Sequence, residues 1–187
     1  GETHLLLIDL GAGRMRLGGS ILAQVLGQFG DEVPDLEDAS RLKALVAAIN
    51  ELRAANLLLA YHDRSDGGLW ATLCEMAFAG QIGVSLNVDM LITLGDGVTD
   101  SRAEHGDSKS WATQVGARRQ ELTLSALFNE ELGVVVQVPS ASRDAVMAVL
   151  RRHGLSRHSH VIGRPNGQRN IEVWRDAKSV FAAPLRD

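Results

Sequence analysis

The stretch Tyr61-His62-Asp63-Arg64-Ser65-Asp66-Gly67-Gly68-Leu69 joins an apolar run, Leu57 to Ala60, to an amphipathic run, Leu69 to Ala79. The pattern predicts a strand, a polar glycine loop and a helix. A helix start leaves backbone N–H groups free, and with the helix dipole these favour an anion. The loop also carries two carboxylates and a hydroxyl, a donor set that can hold magnesium beside a phosphate. Asp63 falls at the C-terminal end of the predicted strand, where ligand sites in layered sheets collect. Asp63 is therefore the candidate metal ligand and Ser65 the candidate nucleotide contact. Gly67 and Gly68 would let backbone and ligand approach closely. The structural alternative is that Asp66 caps the helix while Asp63 pairs with Arg64 or another neighbour. The loop is not a Walker loop, because the Gly-Lys-Ser/Thr ending is absent.

Upstream, Leu42, Leu45, Val46, Ile49 and Leu52 form an apolar stripe at helical spacing, with Asp38 or Ser40 placed to cap it. Leu57 to Tyr61 is apolar on both faces, which predicts a strand in the middle of its sheet. Before that helix, Arg16-Leu17-Gly18-Gly19-Ser20 opens a short helical pattern with Ile21, Leu22, Val25, Leu26 and Phe29. This second glycine loop reads as a phosphate site near Arg14 or Arg16, or as tight packing with an N-cap at Ser20; the packing reading is favoured. His4 to Asp9 reads as a buried strand. It begins almost at residue 1, as expected of a piece of a longer protein.

Downstream, Leu69, Leu73, Met76 and Ala77 make a helix stripe that Gly80 is placed to end, and Val84, Leu86 and Val88 alternate as in a strand. Residues 94–121 are rich in Gly, Asp and Ser, with Trp111 their one large aromatic, and read as a mobile insertion. A short helix at Leu122–Glu131 leads into the β-branched strand Leu132–Val138. A capped helix follows, then strands near His160–Gly163, Ile171–Trp174 and Ser179–Ala182. Strands and helices alternate irregularly and the chain closes in short antiparallel strands. The expected fold class is α+β, a layered mixed sheet with helices packed on it, in a single domain over residues 1–187.

The 187 residues carry 23 acidic and 19 basic side chains, a net charge of -4, which argues against general nucleic-acid binding. No run of about 18 apolar residues exists to span a membrane. Cys74 is the single cysteine. It sits in an apolar helical pattern, reads as a packed thiol, and fits a reducing, cytoplasmic setting. His158 and His160 share a predicted strand face, a zinc pair only if two more ligands come from elsewhere. Asn129-Glu130-Glu131 is a polar cluster that reads as catalytic or as a solvated helix-end turn before a strand; the turn is favoured. No Gly-x-Ser-x-Gly elbow accompanies the Ser, His and Asp residues.

Three motifs, in order, resemble one family. They are Arg16-Leu-Gly-Gly-Ser20 with Leu22-Ala-Gln-Val25, Ala60-Tyr-His-Asp-Arg-Ser-Asp-Gly-Gly-Leu69 continued by Thr72 to Gly80, and Leu127-Phe-Asn-Glu-Glu-Leu-Gly133. The sequence is similar to the formylglycinamide ribonucleotide amidotransferases (phosphoribosylformylglycinamidine synthases) over roughly residues 4–93 and 122–183. Residues 94–121 depart from the family pattern.

The resemblance implies a domain of an ATP- and glutamine-dependent ligase of purine biosynthesis. It would be the C-terminal domain of the second half that resembles aminoimidazole ribonucleotide synthetase. It implies that Asp63 binds Mg2+ and that Ser65 contacts ATP or ADP, in an auxiliary site completed by a preceding domain. The implied partners are the preceding and following domains of the parent enzyme, among them a glutaminase whose cysteine is not Cys74. No catalytic residue is assigned within this chain, and the isolated domain is expected to be inactive. The competing readings are another ATP-using enzyme of the same superfamily and a non-catalytic packing module.

Overall fold

The computed structural model describes residues 1–95 and 108–186, with side chains described outside 94–115. Seven strands form one sheet: β1 Thr3–Asp9, β2 Ala60–Arg64, β3 Gly83–Asn87, β4 Gly133–Pro139, β5 Ser159–Asn166, β6 Asn170–Arg175 and β7 Lys178–Pro184. Their order across the sheet is β2-β4-β1-β5-β3-β6-β7. All pairings are antiparallel except β3 with β6. The helices are α1 Ile21–Val25, α2 Ala39–Ala54, α3 Gly68–Gly80, α4 Asp89–Gly95, α5 Ser108–Phe128 and α6 Arg143–Arg152. The α+β class and the layered mixed sheet are those expected.

Strand β1 shows why two helix layers form. Its side chains alternate across the sheet, and both sets are apolar. Leu5 and Leu7 enter one core with Leu69, Leu73, Leu86 and Ile162, beneath α3, α4 and α5. Leu6 and Ile8 enter a second core with Leu45, Leu52, Val149 and Leu150, beneath α2 and α6. Strand β4 repeats the device, with Val135 in the first core and Val134, Val136 and Val138 in the second. Each of these side chains contributes roughly 1.5–3 kcal/mol by leaving water. Strands β1 and β4 thus each feed buried side chains into both cores.

Several expectations change. The apolar run before Asp63 does not make a central strand: β2 is the sheet edge, pairing with β4 alone. Its strand starts at Ala60, while Leu57 and Leu58 plug the α2–α6 core and Leu59 is exposed. Apolarity on both sides of that run thus serves the connection into the helix layer rather than strand burial. The expected insertion is divided. Residues 96–107 lie outside the described residues, whereas 108–121 form the first two-thirds of α5, continuous with the helix foreseen at its end. That helix stops at Phe128, short of Glu131. His158 lies in a 3-10 turn with Nδ1 2.8 Å from the Asp9 carbonyl oxygen, and only His160 is in β5. The two histidines do not form a strand-face pair. Among the described residues, no helix is long and apolar enough to cross a membrane.

Candidate functional site

Tyr61 and Asp63 are two apart on β2 and so share one side of the edge strand. Both are exposed, and the Tyr61 hydroxyl donates to Asp63 Oδ1. Partial desolvation of its ring against the cleft wall, and then that hydrogen bond to a carboxylate, push the Tyr61 phenol up to about 12. Beside them lies a cleft of about 650 Å³ between β2 and α2, lined by Asp63, Ser65, Leu42, Val46 and Arg53 among others. His62 points the other way, its Nε2 2.8 Å from Glu75 on α3.

The chain leaves β2 at Ser65 and turns sharply into α3. Gly68 N–H donates to the Ser65 carbonyl, 2.9 Å, and Gly67 sits at the N-cap with φ +82°. No side chain caps the helix, so Asp66 does not have the capping role offered as the alternative. Instead the Thr72 hydroxyl reaches back to the Asp63 carbonyl at 3.0 Å, tying the first turns of α3 to the strand end. Gly68 is required by shape as well as by φ (+66°). A Cβ there would stand 2.6 Å from the Asn129 carbonyl oxygen and 2.8 Å from that of Leu127. The loop is therefore pressed against the C-terminal end of α5.

That end holds what the sequence reading missed. Asn129-Glu130-Glu131 is not a solvated turn, since Asn129 and Glu131 are each 1% exposed. Glu131 accepts from Arg16 Nε at 2.6 Å and from Arg16 Nη2 at 2.9 Å, a bidentate pair between residues 115 apart. Arg64 is buried in the same layer. Its Nη2 donates to Asp9 Oδ1 at 2.5 Å and its Nε to the Glu131 carbonyl at 2.6 Å. Asp9 also accepts from Gly11 N–H and Gly13 N–H. Burial pushes its carboxyl up, but Arg64 and the two amides outweigh this and hold it below its ordinary value.

Glu130 joins the two glycine loops. Its Oε1 accepts from Gly67 N–H at 2.8 Å and from Ile21 N–H at 2.9 Å. The first loop spends its other amides internally. Gly18 N–H goes to the Glu32 carbonyl, Gly19 N–H to Phe29 and Ser20 N–H to Leu17. The Ser20 hydroxyl accepts from Ala23 N–H, as an N-cap does. This agrees with the packing reading of that loop, whose Gly18, Gly19, Ser20 and Ile21 amides are all committed within the protein. Arg16, one of its candidate phosphate contacts, is committed to Glu131, Glu37 and the Asp35 carbonyl, and Arg14 pairs with Glu37.

The fit to Mg2+ rests on the donor set. Among the described residues no group of three or more His, Cys, Asp or Glu could hold a metal ion. A cation at this loop would lean on Asp63 and take the rest of its shell from phosphate oxygens and water, which is ordinary for Mg2+ and unsuited to Zn2+ or Ca2+. Asp63 and Ser65, both exposed on the rim of the cleft, can meet such a ligand. Cys74 is half-buried, and burial, with Glu75 beside it, pushes its thiol up to about 11, which disfavours the thiolate.

Comparison with known proteins gives the fold a family. Among solved structures, the chain resembles Thermotoga maritima PurL complexed with FGAR (TM-score 0.65, 17% identity), covering 98% of this chain and 27% of that one. It also resembles T. maritima PurL complexed with ATP (0.64, 15%), again over 98% of this chain and 25% of that one. Escherichia coli HypE, a hydrogenase maturation protein, matches at 0.54 and 18% over 92% of this chain and 45% of that one. At such identities the likeness is one of fold, and the chain spans about a quarter of the length of the PurL chains. Residues 5–176 match the family described as AIR synthase related protein, C-terminal domain. The chain thus belongs to the AIR synthase related proteins, as a C-terminal domain of that family.

Proposed function

We propose that this domain forms part of an ATP- and glutamine-dependent ligase converting formylglycinamide ribonucleotide to its amidine in purine biosynthesis. Within it, the loop after β2 contributes Asp63 to a Mg2+ ion and Ser65 to the nucleotide of an auxiliary site. The observation that carries the reading is that loop. The exposed Asp63 carboxylate and Ser65 hydroxyl stand at a strand end, with a second exposed carboxylate at Asp66 beside them, on a support of buried ion pairs. The order of the three motifs and a fold shared with PurL structures that hold ATP and FGAR support it. Other domains of the parent protein would supply the remaining ligands, the glutaminase and the chemistry, in the cytoplasm. The domain alone does not make the amidine.

When bound, Mg2+ would neutralise phosphate charge. Here Asp63 would hold it, Tyr61 would fix the Asp63 rotamer through its hydroxyl, and Ser65 would donate to a phosphate oxygen. A second reading has one observation in its favour. Tyr61 already engages Asp63, so the loop could serve packing between domains alone. Equilibrium binding of Mg2+-ADP to the full parent protein, with and without Asp63→Ala, separates them. The proposal expects at least a tenfold loss of affinity, and unchanged binding supports the packing module.

A further inference from the structure

The segment from Leu17 to Glu37 leaves the core as an ordered excursion. It folds back on itself: Gly18 and Gly19 donate to Glu32 and Phe29, and Gln28 N–H donates to the Ala23 carbonyl at 2.8 Å. Its base is fixed by Arg16 to Glu131 and Glu37, and by Glu130 to Ile21 N–H. Yet its apolar side chains point into water. Val25 is 77% exposed, Phe29 75%, Leu26 61% and Val33 51%, with Ile21 also exposed. The periodicity that predicts an inward helix face is real, but α1 is only five residues long and buries Ala23 alone. Single exposed apolar residues are ordinary, whereas five on one fixed excursion mark a contact surface.

We propose that this excursion is the docking surface for the domain that precedes this one in the parent protein. It exposes Ile21, Val25, Leu26, Phe29 and Val33, and the exposed acids Asp31, Glu32 and Asp35 lie on the same excursion, so the complementary surface is apolar with basic groups. Two further facts select that occupant. The chain belongs to a C-terminal domain family and spans about a quarter of the PurL chains it resembles, which leaves a partner domain to be seated. The excursion is also continuous with the Asp63–Gly68 loop, because Glu130 holds Ile21 and Gly67 on one carboxylate oxygen. A partner seated on Phe29 and Val25 would be anchored on the same carboxylate that braces the nucleotide loop. The inference rests on the proposed reading in assuming a multidomain parent, but not on nucleotide binding.

Two measurements test it. Phe29→Cys is labelled with a maleimide in the 187-residue chain and in the full parent protein, and the rates are read at that peptide by mass spectrometry. The half-buried Cys74, with its raised thiol, serves as an internal slow standard. The expected result is rapid labelling in the chain alone and at least tenfold protection in the parent. Equal rates overturn the proposal. So does concentration-dependent protection in the chain alone, which assigns the patch to a second copy. Hydrogen exchange of residues 21–33 in the unsubstituted proteins repeats the comparison without a variant: slower exchange in the parent supports the proposal and equal exchange overturns it. If docking holds while Mg2+-ADP binding ignores Asp63→Ala, the nucleotide reading fails and the interface stands.

Discussion

The two glycine loops of this domain look alike in sequence and differ in what they leave exposed. Each follows a strand or turn, carries a Gly-Gly pair with a serine within two residues of it and opens a helix. The Gly18–Gly19 loop closes on itself: its amides bond to Glu32, Phe29, Leu17 and Glu130, and its Ser20 is 1% exposed and caps α1. The Gly67–Gly68 loop turns its backbone inward against α5 but leaves Asp63 and Ser65 exposed on the cleft. A glycine pair therefore signals a close approach of backbone to something. In both loops the glycine amides are spent on the protein, Gly67 on Glu130 and Gly68 on Ser65, so the contrast lies in the side chains: Ser20 is buried, whereas Asp63 and Ser65 stay exposed on the cleft. Between the loops stands Glu130, which braces both.

The comparison can be broken first at its support. Arg64→Leu leaves Asp9 buried without its cation and strips donors from the Glu131 and Leu132 carbonyls. A loss of about 3–5 kcal/mol is expected in urea unfolding. The pH dependence should change with it. Asp9 has its carboxyl lowered in the folded protein, so it contributes stability that is present above its ordinary value of about 3.9 and is lost as pH falls through the folded value. Acid unfolding below about pH 4 should show this component in the wild type, and Arg64→Leu should abolish or reverse it.

Alanine substitution then sharpens the contrast between the loops. Gly68→Ala drives a Cβ into two carbonyl oxygens at a positive φ and should cost more than about 2 kcal/mol. Gly19→Ala meets only Val33 Cγ1 at 4.0 Å, leaving the φ penalty of about 1–2 kcal/mol. Glu130→Ala removes two charge-assisted hydrogen bonds, about 1–2 kcal/mol at a partly exposed site. Its distinguishing mark is faster hydrogen exchange at both Ile21 and Gly67; acceleration at one alone would mean that the loops are not linked. The smallest effect is spectroscopic. Tyr61 is the only tyrosine, so its ultraviolet titration is clean. Asp63→Asn should bring its midpoint from about 12 toward about 10, in part, because the partial desolvation remains.

Much of the fold is legible in the sequence because it rests on local pattern. The double-sided apolarity of Leu5–Ile8 and Val134–Val138 announces a sheet covered on both faces, and the Leu45–Leu52 stripe announces α2. Position in the sheet is not local. Leu57–Leu59 has the composition of a central strand, yet it leads into an edge strand, and only Leu57 and Leu58 pack, against a helix layer. The strand-to-helix loop at Asp63 is readable for the same local reason. What supports it is not, since Arg16 and Glu131 are 115 residues apart and nothing near Glu131 reveals its partner. A usable signal did exist for the two acids: Asp9 ends the apolar run Leu5–Ile8 and Glu131 stands just before the apolar run that starts at Leu132, where charge is buried only if paired, whereas nothing local marks Arg16 or Arg64.

The central claim is that the Gly67–Gly68 loop, not its look-alike, serves the nucleotide. The direct measurement is the amount of ADP retained with Mg2+ by the full parent protein after desalting, for Asp63→Ala beside Ser20→Ala. Asp63→Ala should lose most of the bound nucleotide while Ser20→Ala keeps it and loses only about 1 kcal/mol of stability from its cap. Full retention in Asp63→Ala, or loss confined to Ser20→Ala, would contradict the account.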